Sequence, residues 1–127
     1  MTCLWIGLGS ALGGIVRYAV TVWCATLWGD RFPVATVLIN IAGSFLIGFV
    51  ASFGRFEGKI YLSPLTRDFL MIGVLGGFTT FSSFSLQTLY LAQRGEWPLA
   101  ALNVFGSVAL CLAAVWLGGL CGKTMGG

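Results

Sequence analysis

Charged residues divide the chain into long apolar stretches. Four such stretches are separated by short segments that carry nearly all of the charge. A membrane-spanning helix needs ~20 mostly apolar residues, so the pattern predicts four spans joined by three short loops. The predicted spans are residues 2–28, 33–53, 66–93 and 98–121. We expect residues 1–127 to form a single all-α membrane domain that carries out its function inside the bilayer.

The composition excludes a soluble domain and several classes of enzyme. Of the 127 residues, 57% are apolar and only 9% are charged, against roughly 25% charged in ordinary soluble domains. Histidine is absent, which excludes His-based acid–base catalysis and imidazole metal sites. The four cysteines have no CxxC spacing and lie in or beside apolar segments. The sequence therefore gives no support for His-dependent catalysis or for a redox or metal role of the cysteines.

The basic residues are almost balanced between the two ends of the predicted bundle. The end that holds both termini and the second loop has four of them, Arg55, Lys59, Arg67 and Lys123. The other end has two, Arg31 and Arg94. Because positive loop charge sets the orientation of a membrane protein, so weak a bias permits insertion both ways round. That behaviour would allow an antiparallel dimer.

The first predicted span combines small residues with a buried cation. Gly9 and Gly13 form a GxxxG pair, a pattern that lets helix backbones approach closely in lipid. Arg17 lies near the middle of the span, where an arginine costs at least ~2.5–3.5 kcal/mol. Two interpretations stay open for this residue. It is either a structural arginine pinned by helix carbonyls or part of an electropositive vestibule that attracts anions.

Two spans carry polar side chains at a spacing of four, which puts them on one helical face. The second span has Thr36, Asn40 and Ser44, and the fourth has Asn103, Ser107 and Cys111. A membrane asparagine often serves as a hydrogen-bonding link between helices. The alternative is that the stripe forms the wall of a polar pathway.

The third span predicts an interruption of its helix. Between Gly76 and Thr80 two glycines are followed by a phenylalanine and two threonines, which is poor material for a continuous helix. Non-helical backbone at membrane depth is tolerated only when it is buried in protein or lines a cavity, and transporters build ion sites from such breaks. Beyond the break, Phe81 and Phe84 alternate with serines, so either a lipid-facing surface or a pathway wall is expected.

Acidic residues are absent from the interior of the predicted spans. All four, Asp30, Glu57, Asp68 and Glu96, fall in the charged loop segments, Asp68 at the point where the second loop meets the start of the third span. A proton-coupled carrier usually needs a carboxylate at membrane depth, and an anion pathway benefits from its absence. The residues alone thus indicate a four-span, anion-permeable oligomer. The alternatives are a small multidrug-type carrier and a non-transporting accessory subunit.

Three stretches resemble the small bacterial fluoride channels of the Fluc, or CrcB, family. They are GGIVRY at 13–18, NIAGSFLIG at 40–48 and GVLGGFTTFSSFS at 73–85. The resemblance implies an antiparallel, dual-topology homodimer in the bacterial inner membrane, with two pores for passive fluoride export that relieves fluoride toxicity. The chain departs from the family pattern at two positions. Many members have a tyrosine where this chain has Asn103, and they often have a hydroxyl side chain where it has Cys111.

The resemblance also implies roles for particular residues. The fluoride pore would be lined by Asn40, Phe81, Phe84, Ser82, Ser83 and Ser107. The two rings would meet the anion with their electropositive edges. A structural Na⁺ at the centre of the dimer would be held by the backbone carbonyls of Gly76 and Thr79. No nucleic acid is expected as a partner.

Overall fold

The computed structural model describes residues 1–53 and 60–126, and these residues contain four long helices and no strand. The helices are α1 (Thr2–Trp28), α2 (Val34–Phe53), α3 (Pro64–Gln93) and α4 (Trp97–Gly126). Each is long and apolar enough to cross a membrane. This confirms the prediction of an all-α protein with four membrane-spanning helices. Arg55, Glu57 and Lys59 lie outside the described residues.

Two predicted span boundaries differ from the observed helices by two residues or more. α3 begins at Pro64 because Ser63 caps it, with the Ser63 hydroxyl accepting a hydrogen bond from the Thr66 N–H at 3.2 Å. Asp68 therefore lies within the first turns of α3 and not in a loop. α4 continues to Gly126, beyond the predicted end at residue 121, because its last turns pack closely against α2 and Lys123 does not interrupt it.

Glycines hold α1 against the first half of α3. A Cβ atom at Gly9 would lie 2.8 Å from the carbonyl oxygen of Phe69, and one at Gly13 would overlap the carbonyl oxygen of Val74. From the opposite side, a Cβ at Gly73 would lie 3.0 Å from the carbonyl oxygen of Ile6. The two backbones touch where only glycine fits, which confirms the packing role predicted for Gly9 and Gly13.

A second set of glycines joins α4 to α2. Gly118, Gly122 and Gly126 follow one another at a spacing of four, and a Cβ on any of them would overlap a backbone oxygen of α2. The three oxygens belong to Phe45, Phe49 and Phe53. In lipid no hydrophobic force draws helices together, so close packing of this kind supplies much of the association energy. α2 and α4 therefore form one tightly packed pair.

The protomer leaves most of its large apolar side chains on its surface. Ile39, Leu91 and Asn103 are its largest fully buried side chains among the described residues. Trp23, Trp116 and Phe105 are 62%, 67% and 74% exposed. Exposed apolar area on this scale fits an environment of lipid or of other transmembrane helices.

One end of the bundle is fastened by charged groups. Glu96, in the short turn between α3 and α4, lies 3.8 Å from the guanidinium of Arg31 and 3.7 Å from that of Arg94. Arg94 also donates a hydrogen bond to the carbonyl oxygen of Arg31 at 3.2 Å. The α3–α4 turn is thereby attached to the α1–α2 loop.

Candidate anion site

The backbone of α3 is extended at two residues near its middle. The helix stops at Phe78, Thr79 adopts φ −79° and ψ 159°, and Thr80 adopts φ −153° and ψ 115°. A new helical segment then begins at Phe81. Seven residues of wider π-helix, Phe69–Leu75, precede the interruption. The extended backbone takes several N–H and C=O groups out of the regular helical pattern, so other partners must satisfy them.

Asn40 of α2 holds the extended backbone with both ends of its side-chain amide. Its Oδ1 accepts a hydrogen bond from the Thr80 N–H at 2.8 Å, and its Nδ2 donates one to the Thr80 carbonyl oxygen at 3.0 Å. An amide has two N–H donors, so one remains for another acceptor. The two sequence interpretations of Asn40 are therefore compatible: the side chain links two helices and still has a donor to offer.

Thr80 caps the segment that follows the interruption. Its hydroxyl accepts a hydrogen bond from the Ser83 N–H at 3.1 Å and donates one to the Ser83 hydroxyl at 3.1 Å. The Ser82 hydroxyl lies 3.2 Å away. Sequence reasoning missed this residue, although a threonine immediately before a helical run is a common N-cap. The Thr80 side chain is buried, so the start of the segment is rigidly defined.

Two backbone carbonyls near the interruption lose their usual helical donors. The Gly76 carbonyl would normally accept from the Thr80 N–H, which Asn40 takes instead. The Thr79 carbonyl would normally accept from the Ser83 N–H, which the Thr80 hydroxyl takes. Gly76 is exposed on the surface of the protomer. Carbonyl oxygens without donors are suitable ligands for a hard cation.

A groove of about 380 Å³ lies beside the interruption. It brings together six of the residues that the resemblance assigns to the pore or the sodium site: Asn40, Gly76, Thr79, Phe81, Phe84 and Ser107. Ser44 of α2 also lines it, together with apolar side chains such as Ile47, Leu75 and Leu112. Ser82 is exposed and Ser83 is half-buried, and neither lines the groove.

The two phenylalanine rings are neighbours with very different surroundings. Their centroids are 5.3 Å apart and their planes meet at 48°. Phe84 is only 8% exposed, whereas Phe81 is 77% exposed. Residues three apart on a helix lie on a similar side, and both rings line the groove. Phe84 forms part of the protomer interior, and Phe81 projects from its surface.

The polar side chains of α4 are joined in a chain of hydrogen bonds. Ser107 donates to Asn103 Oδ1 at 3.3 Å, Asn103 Nδ2 donates to the Thr88 hydroxyl at 2.8 Å, and Thr88 donates to the Phe84 carbonyl at 2.8 Å. Asn103 is completely buried. A π-helical segment, Leu102–Gly106, carries it. The hydroxyl proton of Ser107 is thus directed toward Asn103 and away from the groove.

Arg17 lies apart from the groove. Its guanidinium is partly exposed and makes no hydrogen bond or ion pair with any of the residues that the structure describes. Only its backbone carbonyl is engaged, accepting from the Thr21 hydroxyl at 2.9 Å. The charge is therefore not pinned by helix carbonyls within the described part of the chain.

A second cavity, of about 180 Å³, lies nearer the end fastened by Glu96. Thr36, Gln87, Arg31 and Arg94 are among its lining residues. The Gln87 Oε1 atom is buried and has no hydrogen-bond partner among the described residues. Thr36 is one turn before Asn40 on the same face of α2, and residues of α2 and α3 line both cavities.

Comparison with known proteins decides the family. Residues 4–119 match the family described as CrcB-like protein, Camphor Resistance (CrcB). The chain belongs to the CrcB family. The matched range contains the groove, the interruption in α3 and both polar stripes, so the CrcB match covers every element of the candidate site.

Similar proteins agree with the CrcB assignment. One from Paramagnetospirillum magneticum is 52% identical, with 93% of this chain and 92% of the relative covered. One from Methylocella silvestris is 55% identical, covering 93% of this chain and 90% of the relative. One from Coxiella burnetii is 46% identical, covering 98% of this chain and 100% of the relative. All three are named fluoride-specific ion channel FluC.

Proposed function

We propose that this chain is a passive, fluoride-selective ion channel that lets F⁻ leave the cytoplasm and so relieves fluoride toxicity. The groove beside the extended residues of α3 carries the proposal, because it combines unused hydrogen-bond donors with two aromatic rings. The CrcB relatives are named fluoride-specific ion channels, which supports the same function. An ion channel is not an enzyme, and no enzymatic activity is expected.

Fluoride is small and strongly hydrated, so a pore must replace its water with donors. The second N–H of Asn40 is one such donor. Phe81 and Phe84 offer the electropositive edges of their rings, since the faces of aromatic rings are negative and repel anions. Nearby apolar side chains keep the groove poor in water, which strengthens each of these interactions.

The serines continue the pathway in different ways. The Ser83 hydroxyl accepts from Thr80, so its own proton is available to an anion beyond the groove. Ser82 is exposed beside it. The Ser107 oxygen lies in the groove wall, and its proton reaches an anion when the hydroxyl turns away from Asn103. Together these residues form a track along which fluoride exchanges donors.

Two antiparallel copies would complete the pore. A single protomer leaves the groove open and Phe81 77% exposed, and a second copy would cover both. The near balance of basic residues between the two ends permits both orientations. A two-fold axis gives each groove an identical mate, so the dimer would contain two pores.

The carbonyls of Gly76 and Thr79 would hold a Na⁺ ion at the centre of the dimer. Both lack their usual helical donors, and sodium prefers oxygen ligands, as other hard cations do. The two-fold axis would double the ligand set. When bound, the ion would link the two extended segments electrostatically. Replacing Na⁺ with N-methylglucamine during purification should lower fluoride flux or dissociate the dimer on gel filtration, whereas unchanged flux and assembly would contradict the site.

Passive export follows from acid–base chemistry and the membrane potential. Neutral HF crosses the bilayer, ionises inside the cell and is trapped as F⁻. An inside-negative potential favours anion exit by ~2.3 kcal/mol per 100 mV. Arg17, which has no partner among the described residues, would raise the local anion concentration at a vestibule. The bacterial inner membrane is the expected location.

Fluoride efflux from proteoliposomes tests the function directly. The purified protein is reconstituted in vesicles loaded with potassium fluoride or potassium chloride, and external anion is followed with an ion-selective electrode after valinomycin is added. Fluoride should leave rapidly while chloride stays inside. Flux of neither ion would favour a non-transporting accessory subunit, and equal flux of both would contradict fluoride selectivity.

A further inference from the structure

We propose that Ser44 of α2 is a fluoride ligand in the groove, donating its hydroxyl proton to the ion. This inference rests on the proposed channel function and extends it to a residue that the resemblance does not implicate. Ser44 lines the groove one turn beyond Asn40. Its hydroxyl has no hydrogen-bond partner among the residues that the structure describes.

An unpartnered hydroxyl within a membrane helix leaves a hydrogen-bond donor unused. Serine and threonine normally bond to the backbone carbonyl one turn earlier. Thr21, Ser85 and Thr88 all do so here, at 2.9, 2.9 and 2.8 Å. Ser44 could bond in the same way to the Asn40 carbonyl and does not. Its proton therefore remains available to a group inside the groove.

The other hydroxyls in the groove wall already donate hydrogen bonds within the protein. Four of the described lining residues carry hydroxyls: Ser44, Thr79, Thr80 and Ser107. Thr79 donates to the Leu75 carbonyl at 2.9 Å, Thr80 donates to Ser83, and Ser107 donates to Asn103. Among these four, Ser44 is the one whose proton can meet an anion without breaking an existing hydrogen bond.

The position of Ser44 relative to Asn40 gives the groove two donors in series. Residues four apart on a helix are separated by ~6 Å along its axis. The remaining N–H of Asn40 and the hydroxyl of Ser44 therefore lie one turn apart on the same face. Leu75, Ile47 and Leu112 of the same wall are apolar. An ion that leaves Asn40 in this direction meets Ser44 as its next donor.

Replacing Ser44 by alanine tests the inference. The variant removes one oxygen atom, and Ser52→Ala on the same helix is the matched control. Ser52 also lacks a partner among the described residues but does not line the groove. Initial fluoride efflux per mole of assembled protein should fall about tenfold in Ser44→Ala, as expected for the loss of one hydrogen bond to an ion. The loss should be greatest at low fluoride, and Ser52→Ala should match the native protein.

An isosteric pair separates the hydroxyl from the packing. Ser44→Thr keeps the donor and Ser44→Val replaces it with a methyl group of the same shape. The inference is supported if the threonine variant keeps fluoride efflux and the valine variant loses it. This outcome counts even if the alanine variant fails to assemble. Equal efflux from the threonine and valine variants, or a fully active Ser44→Ala, would overturn the role of Ser44. The channel function would still stand if the native protein conducts fluoride. A native protein without fluoride flux would overturn both.

Discussion

α2 and α4 carry similar patterns of polar residues and use them in opposite ways. Each has three such residues at a spacing of four. On α4, Asn103 is completely buried and bonded to Thr88 and Ser107. On α2, Asn40 keeps one free N–H and Ser44 keeps a free hydroxyl toward the groove. The polar groups of Asn103 and Ser107 bond to side chains inside the bundle, whereas Asn40 and Ser44 keep donors at the groove wall.

The difference lies in the neighbours and not in the stripes themselves. Asn103 faces the Thr88 side chain of α3 inside the bundle, and its amide donates to the Thr88 hydroxyl. Asn40 faces a stretch of extended backbone, which takes two of its hydrogen-bonding groups and leaves the third. The spacing of polar residues places them on one face of a helix. Whether they link helices or bind a ligand depends on the hydrogen-bond partners that the facing helix supplies.

The largest expected effect in this comparison comes from Asn40→Asp. The carboxylate cannot donate to the Thr80 carbonyl, and it places a negative charge where an anion must pass. Fluoride efflux should fall to the background of protein-free vesicles. Gel filtration of the same sample checks that the variant is assembled. Native efflux from an assembled variant would remove Asn40 from the pathway.

Replacing the rings should have the next largest effect. Phe84→Leu and Phe81→Leu keep apolar bulk but remove the electropositive ring edge, so fluoride efflux should fall roughly tenfold or more. The corresponding methionine variants should lose less efflux than the leucine variants, because the thioether adapts to its surroundings. Phe105→Leu is a matched control, since Phe105 is 74% exposed but does not line the groove. Near-native efflux from both leucine variants would show that the ring edges are dispensable.

The packing that holds α2 against α4 should be sensitive to a single methyl group. A Cβ at Gly118 would overlap the Phe45 carbonyl oxygen, whereas one at Gly7 would meet nothing within 4 Å. Gly118→Ala should therefore lower the free energy of unfolding by about 1–3 kcal/mol. Gly7→Ala should be neutral or stabilising. The midpoint of thermal unfolding in detergent measures both, and equal midpoints would contradict the close approach of α2 and α4.

The smallest expected effect comes from Asn103→Leu, which removes the hydrogen bonds to Thr88 and Ser107. Side-chain hydrogen bonds between membrane helices average about 0.6 kcal/mol each, so the loss in stability should be about 1 kcal/mol. Efflux per mole of folded protein should stay within about twofold of native, as for substitutions outside a binding site. A large loss of efflux at unchanged stability would instead assign Asn103 to the pathway.

The sequence alone was sufficient for the number and type of the membrane helices. Charged residues mark the ends of apolar stretches because ions are costly in lipid, and this signal predicted four helices correctly. The end of α4 was wrong because Gly122 and Gly126 continue the contact with α2 beyond Lys123. The repeated glycines at 118, 122 and 126 were visible and could have extended the prediction.

The partners of the polar residues could not be predicted. Two glycines and two threonines indicated weak helix between residues 76 and 80, but Asn40, which holds Thr80, lies 40 residues away. Likewise, a sequence does not reveal that Ser107 gives its proton to Asn103 while Ser44 keeps its own. Such assignments depend on which helix faces which, and that is fixed only by tertiary packing.

The tether between Asn40 and Thr80 has a consequence for biogenesis. In lipid, each unsatisfied backbone N–H or C=O costs several kcal/mol, so the extended residues of α3 are unstable in the bilayer until α2 supplies its amide. The ribosome makes α2 first, and N-terminal segments are in place before later ones arrive. The order of the helices along the gene therefore protects the weakest segment during insertion. A circular permutant that delivers α3 before α2 should be degraded more rapidly than one that preserves this order.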